Sequence, residues 1–319
     1  MNTFVYITGD SEVSVWGLSG RERLRRMLEI HSAKITLVED LESVPEGRPL
    51  LLLCADHLFD ARVLSALVST ELSLVLDSKG KQIVAINIAD GNTHNILEDF
   101  LGEGNGDAIS ALPRYLIEGL DLEFQQNNLK KRDVPYILFI SRSNYKTLEL
   151  ELFSGSYKGV TDFITKWVWP KPAFWFTHFC VRVGLSPNNV TFMSYILAIF
   201  AGISFWFGNY GVGLIMGWLM TFLDTVDGKL ARVTVTSSRL GNILDHGLDI
   251  VHPPLWYMAW AIGLGAVTIP VFGMEGLIWL MFIGYVGGRV CEGLFQFFIG
   301  SFDIFIWRRF DSFNRLITA

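Results

Sequence analysis

The chain has 319 residues, half of them apolar, with 26 basic and 32 acidic side chains and a formal net charge of −6. A length of this order accommodates about two domains, and a negative balance with no basic stripe argues against nucleic acid as a partner. Cys54, Cys180 and Cys291 are far apart and odd in number, which excludes a disulfide framework or a zinc spacing and fits a reducing compartment.

The opening residues, Met1-Asn2-Thr3-Phe4-Val5-Tyr6, lack the basic and apolar regions of a signal peptide. Residues 1–150 carry most of the acids. They alternate β-rich runs (Phe4–Ile7, Leu50–Cys54, Leu72–Leu76, Ile83–Ile88) with helix-like stretches at 21–31 and 60–69. That alternation predicts a soluble α/β domain with a largely parallel sheet. The segments Gly17-Leu18-Ser19-Gly20-Arg21-Glu22-Arg23-Leu24-Arg25-Arg26 and Leu51-Leu52-Leu53-Cys54-Ala55-Asp56-His57-Leu58-Phe59-Asp60 resemble pieces of the sugar-phosphate nucleotidyltransferases. The resemblance implies a glycine-rich loop after the first strand, with a basic residue gripping a triphosphate. Here Ile7-Thr8-Gly9-Asp10-Ser11-Glu12 puts two acids at that place. The domain is therefore expected to have lost, or nearly lost, nucleotidyl transfer and to serve as a scaffold or regulator. Asp56 is read either as a metal ligand or as an ordinary acid at a strand end.

Residues 151–186 connect the two halves. Trp167, Trp169 and Trp175 interleave with Lys166, Lys171 and Arg182, as in an amphipathic helix lying in a membrane interface. A linker ordered only by contact with the helix bundle is the plainer alternative.

Residues 187–319 read as an α-helical polytopic membrane domain. No residue from Val190 to Leu223 is charged, a run too long for one crossing of roughly 30 Å of hydrocarbon. Gly208-Asn209-Tyr210-Gly211 supplies the break. Four spans are expected: about 190–207, from about 212 into an acidic cluster, from near Leu240 to about Val267, and about 276–300 with Arg289 and Glu292. Lys166, Lys171 and Arg182 precede the first span. Lys229, Arg232 and Arg239 are assigned to the loop between spans two and three, and Arg308, Arg309 and Arg315 follow span four. The opposite loops carry no Lys or Arg, so the N-terminal domain and the acidic cluster are expected to face the cytoplasm from an inner or plasma membrane.

The cluster is Asp224, Asp227, Asp245 and Asp249. On helices the first pair stands at i, i+3 and the second at i, i+4, so each pair shares a face. Acids beside apolar spans are costly and point to function. Four carboxylates brought into one cavity repel one another, and hard divalent cations such as Mg²⁺ or Mn²⁺ relieve that repulsion. Gly228, Ala231 and Gly241 leave room for a ligand near the backbone, although such residues also serve close helix packing.

The spacing Asp-x2-Asp-Gly-x2-Ala-Arg-x8-Gly-x3-Asp-x3-Asp, from Asp224 to Asp249, resembles the signature of the CDP-alcohol phosphotransferases without a mismatch. Pro187-Asn188-Asn189-Val190-Thr191 is similar to the family's Pro-Asn-x-x-Thr element, so the resemblance covers about residues 185–300. It implies transfer of a phosphoalcohol group from a CDP-alcohol to an alcohol, lipid or polyol-phosphate acceptor, with release of CMP. It further implies two metal ions held by Asp224, Asp227, Asp245 and Asp249. Asp249 would be the general base, and Gly228, Ala231 and Arg232 would line the CDP site that Pro187, Asn188 and Thr191 close. Asp245-His246-Gly247-Leu248-Asp249 is similar to the variant in choline and ethanolamine phosphotransferases. His246 is read as a second base, a partner of Asp249, or a packing residue, and His252 as structural. Arg289 either pairs with Glu292 or binds a substrate phosphate.

The family implies six spans, so a four-span chain is expected to be C-terminally incomplete, and the family allows a homodimer through spans three and four. Inositol-phosphate cytidylyltransferases occur fused to this membrane domain, which tilts the acceptor toward a polyol phosphate. Two other functions compete: a transporter that uses the acids as an ion pathway, and a non-catalytic scaffold for the soluble domain. Acids clustered at one edge argue against the first, and a signature complete in its acids argues against the second.

Overall fold

The computed structural model describes residues 3–45, 47–78, 82–89, 96, 99–100, 106–120, 122, 125–126, 129, 131–159, 162–265 and 273–299. Within these, the side chains of 42, 125, 126, 239, 240, 242, 243, 245, 246, 248, 274, 275, 292, 293, 295–297 and 299 lie outside the description. The chain divides into two compact units, Met1–Val160 with Arg232–Thr236 and Thr161–Ala231 with Ser237–Ala319.

The first unit is built on the strands β1 (Thr3–Thr8), β2 (Ile35–Val38), β3 (Leu50–Cys54), β4 (His57–Phe59), β5 (Leu74–Asp77), β6 (Ile83–Ile88), β7 (Arg114–Leu116), β8 (Gln125–Gln126), β9 (Lys131–Arg132) and β10 (Ile137–Phe139). Its main sheet has the order β2-β1-β3-β6-β5-β7, while β10 pairs with β4 and β8 with β9. Five strands of the main sheet run one way, as the alternating pattern predicts, and β6 runs against both its neighbours. The short return from Asp77 to Ile83, closed by Ser78 N donating to Gln82 O, permits only a hairpin at that point. The Leu50–Leu53 run divides between two cores. Leu51 and Leu53 pack with Val5, Leu24, Leu64 and Leu67 on one face, and Leu50 and Leu52 pack with Val75, Ile86 and Ile109 on the other. A sheet buried on both faces needs such a continuous apolar run.

Helices α1 (Gly20–Glu29) and α2 (Ala61–Ser69) are capped by the Ser19 and Asp60 side chains, and α3 is the turn Asp107–Ser110. Gly20 is obligatory: a Cβ there would stand 1.7 Å from Ala55 O. Helix α4 (Tyr145–Gly155) passes the expected boundary at 150. Trp16 anchors it, its N and Nε1 donating to Glu149 Oε1 and O, each at 2.9 Å, and its ring stacking on Phe153. Residues 232–236 belong to this unit. Arg23, 5% exposed, donates through Nη2 to Val15 O at 3.0 Å and Val233 O at 2.7 Å, and Arg26 Nη1 donates to Thr234 O at 2.9 Å. Burial lowers the Arg23 guanidinium to about 10, which still leaves it charged at neutral pH.

The second unit is helical: α5 (Phe163–Trp167), α6 (Pro170–Val183), α7 (Pro187–Trp206), α8 (Tyr210–Val233), α9 (Arg239–Gly263) and α10 (Gly273–Ile299). The expected interfacial stretch forms two helices rather than one, because Pro170 opens α6 as its first helical residue. Ala173, Thr177 and Cys180 are fully buried on one face of α6, while Trp175, Phe179 and Val183 stand exposed. Gly184, left-handed, ends that helix. Ser186 caps α7 by accepting from Asn189 N, with Pro187 in the first turn.

The predicted break falls where expected. Gly208 has φ +74° between α7 and α8. A Cβ on Gly263 would lie 2.0 Å from Phe205 O, so only glycine lets the end of α9 approach there. Trp256 of α9 fixes the middle, its Nε1 donating to Ala198 O at 2.9 Å and its ring filling the space beside Gly202 and Gly217.

One placement is corrected. Lys229 and Arg232 lie within α8, which runs to Val233, and not in the loop assigned to them. Lys229 is only 3% exposed, so it is no longer a solvated loop charge. Among the described residues, Pro187–Trp206 is long and apolar enough to cross a membrane, and 276–291 is a shorter apolar stretch. Helices α8 and α9 have the length but carry the charged signature. Arg308, Arg309 and Arg315 lie outside the described residues.

Candidate active site at the signature helices

Thr191 stands one turn into α7 and is 4% exposed. Its Oγ1 lies 3.1 Å from Pro187 O and 2.5 Å from Oδ2 of Asp227 on α8. Asp227 is equally buried, at 4% exposure. A carboxylate taken from water is tolerated only with hydrogen bonds or counter-charge, and the threonine hydroxyl is one such donor.

Asn188 meets the other half of the signature. Ser238 caps α9 and accepts from Gly241 N at 3.0 Å. A Cβ on Gly241 would stand 3.1 Å from Asn188 Oδ1 and 3.2 Å from Ser238 Oγ. With no side chain at Gly241, Asn188 sits against the first turn of α9 without having to give way. The Pro187-Asn188-x-x-Thr191 segment therefore bonds to Asp227 on α8 through Thr191 and lies beside Gly241 on α9 through Asn188, bringing five of the predicted residues together.

The remaining predicted residues are placed individually. Asp224, Gly228 and Ala231 are half-buried on α8, and Asp249 is exposed on α9. Arg232 is described with the first unit, where its charge partly offsets the burial that raises the Tyr157 hydroxyl to about 12. Arg289 is exposed on α10, with its guanidinium 5.5 Å from the Tyr285 ring centroid. His252 stacks edge-on with Trp256 at 4.6 Å. The Asp245, His246 and Glu292 side chains lie outside the described residues. Among the described residues no three His, Cys, Asp or Glu side chains form a metal-holding group, and the set of four acids includes Asp245. The chemistry of the donors fits a hard divalent cation, because carboxylate oxygens are the ligands Mg²⁺ and Mn²⁺ prefer.

Three residues escape the sequence reading. Tyr195 OH donates to Leu244 O at 2.6 Å, tying α7 to the turn of α9 that carries Asp245. Lys229, two residues after Asp227, has the burial of a site residue, and its position inside the signature was the available signal. Tyr285 OH lies 3.3 Å from Asp249 O and 3.0 Å from Ile250 O; one tyrosine among the apolar residues of a span gives no such hint.

Residues 185–300, from just before α7 to the end of α10, match the family model described as CDP-alcohol phosphatidyltransferase. That segment is similar to the CDP-alcohol phosphatidyltransferase family. Over 67 residues the chain is 33% identical to an archaetidylinositol phosphate synthase of Pyrococcus horikoshii, covering 21% of this chain and 36% of that one. Over 126 residues it is 28% identical to human ethanolaminephosphotransferase 1, covering 32% of this chain and 30% of the relative. Over 84 residues it is 33% identical to cholinephosphotransferase 1 of Danio rerio, covering 26% and 19%. The chain thus spans about a third or less of each relative's length. Family and relatives together support a transferase.

The first unit holds the loop at which the sequence puts two acids in place of a phosphate-gripping base. The loop after β1 turns through Gly9 at φ +65°. Asp10 Oδ1 accepts from Ser11 N at 2.8 Å and Arg21 N at 3.0 Å, while Ser11 Oγ accepts from Gly20 N at 2.8 Å. Ser19 Oγ takes Glu22 N and Ser19 O takes Arg23 N. The first-turn N–H groups of α1, the groups that bind phosphate in a nucleotide loop, are thus all engaged by the chain's own oxygens. Asp56 Oδ1 lies 2.6 Å from Nδ1 of the buried His57.

Proposed function

We propose that the helical unit is a membrane-embedded, divalent-metal-dependent CDP-alcohol phosphotransferase that moves a phosphoalcohol group to an acceptor alcohol and releases CMP. The observation that carries this reading is the double contact of the Pro-Asn-x-x-Thr segment, through Thr191 with Asp227 and through Asn188 with Gly241. It supports one site assembled from three helices.

In that site Asp224, Asp227, Asp245 and Asp249 would hold two Mg²⁺ or Mn²⁺ ions, which when bound supply charge neutralisation at the donor pyrophosphate. Thr191 keeps the Asp227 carboxylate oriented. Gly241 leaves the gap in which Asn188 meets the α9 cap, and this sets the Asn188 amide beside the donor headgroup. Asp249 takes the proton from the acceptor hydroxyl. The acceptor oxygen then bonds to the β-phosphorus as the β-phosphorus bond to the bridging oxygen breaks, and CMP departs with that oxygen. The acids belong at the cytoplasmic edge of the membrane, where Lys and Arg flank the spans.

The α/β unit is proposed as a nucleotidyltransferase-like scaffold without nucleotidyl transfer, a reading supported by the occupied first turn of α1. The similarity to archaetidylinositol phosphate synthase on one side and to ethanolamine and choline phosphotransferases on the other defines the panel to assay. It comprises CDP-ethanolamine or CDP-choline with diacylglycerol, and a CDP-lipid with a polyol phosphate. Mn²⁺-dependent CMP release by the purified full chain is expected with one of these pairs and is lost in Asp249→Asn. Equal turnover by parent and variant would remove the catalytic assignment. CDP-alcohol formation from CTP and a polyol phosphate would overturn the scaffold role.

A further inference from the structure

Helix α9 contains Pro253-Pro254 in its interior. Proline has no N–H, so a helix loses the bond that residue i would donate to the carbonyl of residue i−4. The two carbonyls affected are those of Asp249 and Ile250. These are the carbonyls that Tyr285 OH faces from α10, at 3.3 and 3.0 Å. The Tyr285 ring is braced in turn by the Arg289 guanidinium on its face at 5.5 Å and by Tyr257 edge-on at 6.1 Å.

We infer that Tyr285 is a positioning residue for Asp249, its single hydroxyl proton shared between the two carbonyls that Pro253 and Pro254 leave without a helix donor. The inference rests on the proposed role of Asp249 as the base. A missing pair of helix bonds loosens the peptide planes it would have held, and these planes begin at the residue whose carboxylate must meet the acceptor hydroxyl. Misplacement by about 1 Å is enough to cost roughly a hundredfold in rate. A hydroxyl from the next helix holds the Asp249 peptide through its backbone carbonyl, not through its side chain. It also gives Arg289 a role that needs neither Glu292 nor a phosphate: its charge holds the ring that holds Asp249.

The test uses the full chain in detergent and a rescue. Tyr285→Phe keeps the ring and its Arg289 contact but removes the hydroxyl. Pro253→Ala restores an N–H directed at Asp249 O and is expected to leave turnover within about twofold by itself. Tyr285→Phe is expected to lower kcat about tenfold with the KM for the CDP-alcohol within about twofold, and adding Pro253→Ala is expected to restore kcat. Unchanged kcat in Tyr285→Phe, or no recovery in the double variant, overturns the inference. If the parent releases no CMP from any CDP-alcohol, the proposed function fails, and deuterium exchange over 250–257 then decides the hydrogen-bond claim. Exchange should quicken in Tyr285→Phe and return in the double variant, and identical exchange in all three proteins refutes it.

Discussion

Thr191 Oγ1 sits 2.5 Å from Asp227 Oδ2, joining the first turn of one helix to the acid-bearing end of the next. Both residues are nearly free of solvent, and a hydrogen bond to a charged group is worth about 1.5–3 kcal/mol. Thr191→Val should therefore lower CMP release roughly tenfold to a hundredfold, and Thr191→Ser should retain most of it. Equal losses in both variants would show that the hydroxyl is not what matters.

Gly241 predicts a different signature. An added Cβ would stand 3.1 Å from Asn188 Oδ1, tight enough that the asparagine must shift by a few tenths of an ångström. Gly241→Ala is expected to raise the KM for the CDP-alcohol several-fold with little change in melting temperature. A change confined to kcat would count against a donor subsite here.

Asp249 carries the proton step in the proposed mechanism, and loss of a general base typically costs about 10²–10⁴ in rate. Asp249→Asn should fall in that range at saturating Mn²⁺. Recovery of activity at higher Mn²⁺ would leave Asp249 as a metal ligand alone and remove its role as base.

In the α/β unit, Glu22 bonds to Arg25 and Arg26 at 2.7–3.0 Å. The hydrogen-bonded Arg25 guanidinium, with Arg26, holds its carboxyl down to about 2, against an ordinary value of 4.5. The stabilisation from a lowered carboxyl is complete above pH 4.5 and is lost as pH falls toward 2. Glu22→Gln should flatten the acid limb of stability between pH 4.5 and 2, read from urea midpoints. Arg25 is exposed, so the effect should weaken in high salt.

Gly20→Ala tests the packing under the same helix. A Cβ would fall 1.7 Å from the Ala55 carbonyl oxygen, and α1 cannot move away without breaking its cap. Destabilisation on the order of 3 kcal/mol, the upper part of the overpacking range, is expected from chemical denaturation. A neutral result would mean that the β3–β4 corner yields.

Much of this was legible in residue order. Charge-free stretches, a glycine turn and paired acids located α7 to α10, because helix period and turn chemistry are local properties. The Leu50–Cys54 and Ile83–Ile88 runs located β3 and β6 at their observed bounds. The reversal of β6 was missed, since its direction is set by the closure of the short 78–82 return rather than by the strand itself. Lys229 was misplaced because charge suggested a loop, whereas the helix continues past it and buries it. Strand β2, with exposed Thr36 and Leu37, presents too short an alternating signal to stand out. Tyr285 could not be read at all. Its partners are carbonyls made available by two prolines on another helix, a relation visible only in three dimensions.

The Asp10 carboxylate at the start of α1 has a consequence for supply. An anion tethered to the chain competes with free phosphates at an effective concentration of about millimolar or more. Cytidine nucleotides would meet a seat already taken by Asp10, so in the proposed function the α/β unit does not make the activated donor. The helical unit would then depend on finished CDP-alcohol delivered by a separate enzyme, and its output would follow the pace of that delivery.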